Sequence, residues 1–140
     1  MTDAETILKM IEEVDPEDTE NLDEIDARTM CFIQGWEFLE THLGQFEYKI
    51  PGVMSFMPFY ETTPKYTRSR DALKAIRPEG WFFTIMPHLI VGGGFLQVEA
   101  EAENSKYDNK LSTLAEELQT EELAELHAII QAIEYDRSKS

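Results

Sequence analysis

A chain of 140 residues, 42% hydrophobic and 11% aromatic, has enough apolar material to bury the core of one domain. Its formal charge of −16 excludes the phosphate-led route to nucleic acid, which needs lysine and arginine in excess. No apolar run approaches the roughly 18 residues that a membrane-spanning helix requires.

The charge is unevenly spread. Residues 1–26 hold eleven acids and a single base, Lys9, and residues 99–136 hold eleven acids against Lys106 and Lys110. Between them, residues 27–98 carry six acids and seven bases, five of the latter at Lys65, Arg68, Arg70, Lys74 and Arg77. Two acidic ends therefore flank a nearly neutral middle with one basic stretch. The acidic start, Met1 to Glu5, lacks the apolar run of a signal peptide. Cys31 is the single cysteine and has no internal disulfide partner, so a reducing cytosol is the expected compartment.

In chain order, Thr2 and Glu5 have the spacing of a capping box, and Ile7, Leu8, Ile11 and Val14 follow at helical intervals. A helix is expected near 3–14. Asp15 can cap a second helix with Pro16 in its first turn, where the missing N–H costs nothing. Leu22, Ile25, Thr29, Phe32 and Ile33 give that helix an inner face over 17–34, and Gly35 suits its end. Gln45 to Ile50 alternates as a short strand does. Pro51-Gly52 marks a turn, and Pro58 restricts Val53 to Tyr60 to an edge strand or a covering loop.

Residues 64–81 are the most readable stretch. Thr67 or Ser69 can cap a short helix whose apolar side is Ala72, Leu73 and Ile76. Pro78 stops it, Gly80 permits the turn, and Trp81 opens a strand. The helix is expected to pack on the sheet that Trp81 begins. Trp81 to Val91 and Phe95 to Ala102 read as an antiparallel hairpin turning at Gly92-Gly93-Gly94, with Pro87 weakening its first strand. Leu96, Val98 and Ala100 point to one side, and Gln97, Glu99 and Glu101 to the other. Thr113 and Glu116 again have capping-box spacing, so a helix is expected near 112–119 and a longer one near 121–135.

No catalytic constellation is visible. His42, His88 and His127 are scattered and fit no metal-ligand spacing, and Cys31 lies mid-helix without a motif. The three glycines at 92–94 lack the Lys-Ser/Thr ending of a phosphate loop, and a hairpin turn accounts for them. No metal or cofactor is expected. Arg70, Lys74 and Arg77 share one helix face. His127 reads as a partly buried packing residue, and Glu121, Glu122 and Glu125 as a solvated helix face.

Pro64, Tyr66, Thr67, Ser69, Asp71 and Ala72, followed by Pro78-Glu79-Gly80-Trp81, form a pattern that resembles the phage ABA-sandwich domain proteins, small phage and prophage proteins of unassigned role. Leu22 to Ala27 with Gly35-Trp36 is similar to the family's first helix and its glycine end, and Glu99-Ala100-Glu101 to its closing strand. The likeness spans most of residues 17–135 and departs from the family over 103–120. It implies a helix–sheet–helix layering and a phage setting, and it brings no catalytic residues.

The fold class expected is α+β: an antiparallel sheet of three to four strands covered by helices in a layered α/β/α sandwich. Residues 1–140 form a single domain, with 1–16 a loosely attached helix and 136–140 a frayed tail. The function expected is a non-enzymatic phage or prophage accessory protein. It would bind and inhibit a host protein, such as a defence-system component, through an acidic surface that mimics nucleic acid. Its contact residues would be Asp15, Glu17, Asp18, Glu20, Asp23, Glu116, Glu117, Glu121, Glu122 and Glu125. The partner is a host protein with a basic surface, met in the host cytosol, with no direct nucleic-acid or membrane contact. The alternative is a nucleotide or small-molecule sequestering module at Lys65, Tyr66, Arg68, Arg70, Lys74 and Arg77, with Trp81 available to stack on a base. Meeting of the basic strip on one copy with the acidic ends of another would give a homo-oligomer.

Overall fold

The computed structural model describes residues 2–40, 46–55, 57–58, 63–89, 96–104, 109–114, 118 and 120–139. Within them the chain is α+β, with four helices and two antiparallel sheets of three strands each.

Helix α1 (Asp3–Glu13) starts in the expected capping box: Glu5 N–H donates to Thr2 Oγ1 at 3.1 Å, and Thr2 N–H to Glu5 Oε2 at 2.9 Å. Helix α2 (Thr19–Gln34) is capped by Asp18 rather than Asp15, and ends at Gly35, whose φ of 75° is the left-handed value that favours glycine. Strands β1 (Glu37–Glu40), β2 (Phe46–Lys49) and β3 (Met57–Pro58) form the first sheet, in that order. Pro58 lies on its edge strand, where a missing N–H is tolerated. Strand β1 has no counterpart in the sequence reading.

Ser69 Oγ accepts from Ala72 N–H at 3.2 Å and opens α3 (Arg70–Ile76). Strands β4 (Trp81–Leu89), β5 (Leu96–Asn104) and β6 (Asn109–Leu114) form the second sheet with β5 in the centre. Pro87 is accommodated because β4 is an edge strand. The turn expected at 92–94 lies outside the described residues.

Helix α4 (Glu121–Lys139) is capped by Thr120, whose Oγ1 accepts from Leu123 N–H at 3.1 Å. It lies across the inner face of β4–β6, where Val98, Ala100 and Ala102 are buried. Helices α1 and α3 pack on its other side, so every residue from Leu123 to Ile130 is buried. The opposite face of the second sheet is open: Phe82 is 68% exposed, and Thr84 and Glu103 are exposed.

Four expectations are corrected. The helix expected near 112–119 does not begin as predicted: residues 109–114 are strand β6, paired with β5 from Asn104↔Asn109 to Glu99↔Leu114, and 115–117 and 119 lie outside the described residues. The bonding groups on the second edge of β5 need a partner, and that hairpin pairing outweighs a capping-box spacing that abundant glutamates produce by chance. Helix α3 packs on α4, not directly on the sheet. Residues 1–16 are not loosely attached, because Ala4, Ile7 and Ile11 are buried against the body. Residues 136–139 are helical and held: Asp136 Oδ2 accepts from Trp81 Nε1–H at 3.0 Å, and Arg137 donates to Phe32 O at 2.8 Å.

Candidate functional site

Four of the five bases in the stretch are paired with acids of neighbouring helices, although Arg68 and Arg70 stay exposed. The segment before α3 lies along α2, where Asp26 is 1% exposed. Thr67 N–H donates to Asp26 Oδ1 at 2.8 Å, and Arg68 Nη2 to Asp26 Oδ2 at 2.8 Å. Arg68 also pairs with Asp23 at 2.5 Å, and Lys65 with Asp23 at 3.2 Å. Burial raises the Asp26 carboxyl above its ordinary value despite these donors. For Asp23 the largest single influence, loss of hydration, raises the carboxyl, but Arg68 and Lys65 together outweigh it and hold it below its ordinary value.

Helix α3 completes the neutralisation against α4. Arg70 pairs with Glu121 at 2.9 Å, and Arg77 with Glu125. Lys74 is exposed. Tyr66 and Trp81 are 4% and 7% exposed, so neither ring is presented for stacking on a base. The stretch acts as an internal clamp, holding α2 and α4 through their own acids.

The acids expected to form a partner surface fall into two sets. Asp15, Glu17 and Glu20 are exposed at the α1–α2 corner, next to Glu13. Asp18 is half-buried there and bonded to Asn21. Asp23, Glu121 and Glu125 are instead the partners of the basic stretch. Glu125 is fully buried and cannot belong to a solvated face; Glu122 is half-buried. Its carboxylate faces Arg77 because the middle of α4 is enclosed on all sides, which the helical stripe alone did not reveal. Glu116 and Glu117 lie outside the described residues. His127 is more deeply buried than expected, with Nε2 at 3.1 Å from Glu12 Oε1 on α1.

Two adjoining clefts escaped the sequence reading, with volumes of about 150 and 320 Å³. Both are lined by Asp3, Cys31, Phe32 and Trp36, where the start of α1 meets the end of α2 and the approach to β1. Glu37 and Arg28 complete the first; Glu134 and Arg137 complete the second. Trp36 stacks on Tyr48 with ring centroids 4.7 Å apart. The two guanidiniums are engaged. Arg28 pairs with Glu24 at 3.0 Å and lies 4.3 Å over the Phe38 ring. Arg137 donates to Phe32 O and lies 4.4 Å over the Phe32 ring. Cys31 is buried, and desolvation, aided by the Asp3 charge, pushes its thiol up to about 11. Four elements far apart in sequence contribute to this wall, so no local spacing announces it.

Among the described residues, no group of three or more His, Cys, Asp or Glu is placed to hold a metal ion. No model of a protein family, no curated protein and no solved structure matches this chain.

Proposed function

We propose that the protein is a non-enzymatic binding protein that engages a basic host protein through its acidic surface and blocks the site where that protein would hold nucleic acid. The observation that carries this reading is how the charges are divided. Lys65, Arg68, Arg70 and Arg77 are consumed by acids of α2 and α4. Many other acids are left exposed, and four of them, Glu13, Asp15, Glu17 and Glu20, lie close together in sequence at the α1–α2 corner. Exposed carboxylates on a rigid corner offer a lysine- and arginine-lined cleft a fixed set of anions, and they draw in such a partner by long-range attraction.

The same ion pairs leave the sequestering alternative without support. Among the described residues, neither of the two clefts, nor a third between Met10, Glu13, Val14, Asn21 and Ile25, is lined by the basic stretch. The phage setting, and inhibition of a defence component in the host cytosol, rest on the resemblance of residues 64–81. No helix among the described residues is long and apolar enough to cross a membrane.

The test is capture from a host lysate, with elution by duplex DNA and by salt. A partner held through the acidic corner is released by both, because DNA competes for the same cations and salt screens the contact. A variant carrying Glu13→Gln, Asp15→Asn, Glu17→Gln and Glu20→Gln should capture nothing. Retention of the same partner by that variant, or a complex indifferent to DNA and salt, would overturn the reading.

A further inference from the structure

We infer that the larger of the two clefts between the start of α1 and the end of α2 binds an alkylammonium group, with Trp36 as its aromatic wall and Asp3 and Glu134 as its counter-charges. The inference goes beyond the acidic-corner reading and does not need it.

Three observations converge. The first is charge. The larger cleft's lining brings two carboxylates against one guanidinium, Arg137, which is already committed to Phe32 O. Asp3 and Glu134 come from α1 and α4, and neither has an ion-pair partner among the described residues. A cation is the ligand such an imbalance favours.

The second is chemistry the chain already displays there. Arg137 sits over the Phe32 ring while donating to Phe32 O and Ile33 O, the carbonyl groups left over at the end of α2. Arg28 sits over Phe38 in the same way. The negative end of the α2 dipole and the ring faces both favour cations, and the chain's own arginines occupy the rim. Trp36 has the remaining large ring in the lining, fixed by its stack on Tyr48.

The third is size. The larger cleft, about 320 Å³, is near the lower end of the range for small-molecule sites, roughly 300 Å³ and upward. It suits a single aliphatic amine, whose methylenes would lie against Trp36 and Ala4 while the ammonium meets the carboxylates. The ammonium could come from a free amine or from a lysine side chain.

The test follows the two indole N–H signals by ¹⁵N NMR, the cleft signal assigned with Trp36→Phe. Trp81 is buried and bonded to Asp136, so its signal reports the integrity of the fold. Titration with n-butylammonium should shift the Trp36 signal saturably, and its neutral near-isostere n-butanol should not. The variant Asp3→Asn/Glu134→Gln should weaken the affinity by about tenfold or more while the Trp81 signal stays in place. Nα-acetyl-lysine methylamide separates the sources: binding as tight as that of n-butylammonium assigns the cleft to a lysine side chain, and much weaker binding to a free amine. The inference is overturned by no saturable shift, by an equal response to n-butanol, or by unchanged affinity in a variant whose Trp81 signal is native.

Discussion

The Arg77 guanidinium meets a fully buried carboxylate, Glu125, across the gap between the end of α3 and the middle of α4. Each side is incompletely satisfied: Arg77 Nε and Glu125 Oε2 have no hydrogen-bond partner. Truncating one partner strands a charge, whereas replacing both removes two desolvation costs. Arg77→Leu alone should therefore cost about 3–5 kcal/mol in urea denaturation. The double variant Arg77→Leu/Glu125→Leu should recover most of that loss. A double variant as unstable as the single one would show that the pair is needed for its charge and not only for its space.

His127 links α4 to α1 through Glu12, and its pH behaviour follows from burial. Desolvation lowers the imidazole below its ordinary value of 6.5, with Glu12 and Gln131 opposing. The unfolded chain therefore takes up the proton at a higher pH than the folded chain does. Stability from this group is fully present above about 6.5 and is lost as pH falls from there toward the folded value. His127→Gln should flatten the pH dependence of the urea midpoint in that window. An unchanged slope would assign the dependence to other groups.

Cys31 is expected to be inert while the chain is folded. Its thiol is buried, and with a pKa near 11 it presents almost no thiolate at pH 8. Iodoacetamide should label it at a rate set by opening of α1 from α2, and rapidly in urea. Labelling of the native protein at the rate of a free thiol would contradict this placement.

Where local rules decided the outcome, the sequence was readable. The Thr2–Glu5 box, Ser69 before α3, Gly35 after α2 and the inward side of Val98 and Ala100 all appear where their spacing places them. Where pairing or packing with another element decided it, the sequence was misleading. β6 owes its conformation to the open edge of β5, and Glu125 its burial to the packing of sheet and helices around α4. The basic stretch was visible as a charge pattern. Its use could not be read, because its partners Asp23, Asp26, Glu121 and Glu125 lie 42 to 51 residues away. The Trp36 cleft was hidden for the same reason.

Asp26 fastens the turn before α3 to α2, and its variants separate hydrogen bonding from charge. Its folded pKa is raised by burial, more than Arg68 and the Thr67 donors lower it, so the folded state favours the neutral form relative to the unfolded chain. Its contribution is best below the ordinary value of 3.8 and declines as pH rises through the folded value. Asparagine imitates the neutral carboxyl and keeps an oxygen for Thr67 N–H. Asp26→Asn should thus stay within about 1 kcal/mol of the parent at pH 7, despite the lost pairing with Arg68. Asp26→Ala removes the acceptor and leaves the Thr67 N–H buried without a partner, at a cost of about 2–3 kcal/mol. Asp23→Ala, at a carboxylate 40% exposed, should cost no more than about 1 kcal/mol. Urea midpoints rank the three, and hydrogen exchange at Thr67 should accelerate most in Asp26→Ala. An Asp26→Asn variant as unstable as Asp26→Ala would mean that the ionised carboxylate, not its acceptor oxygen, holds the turn.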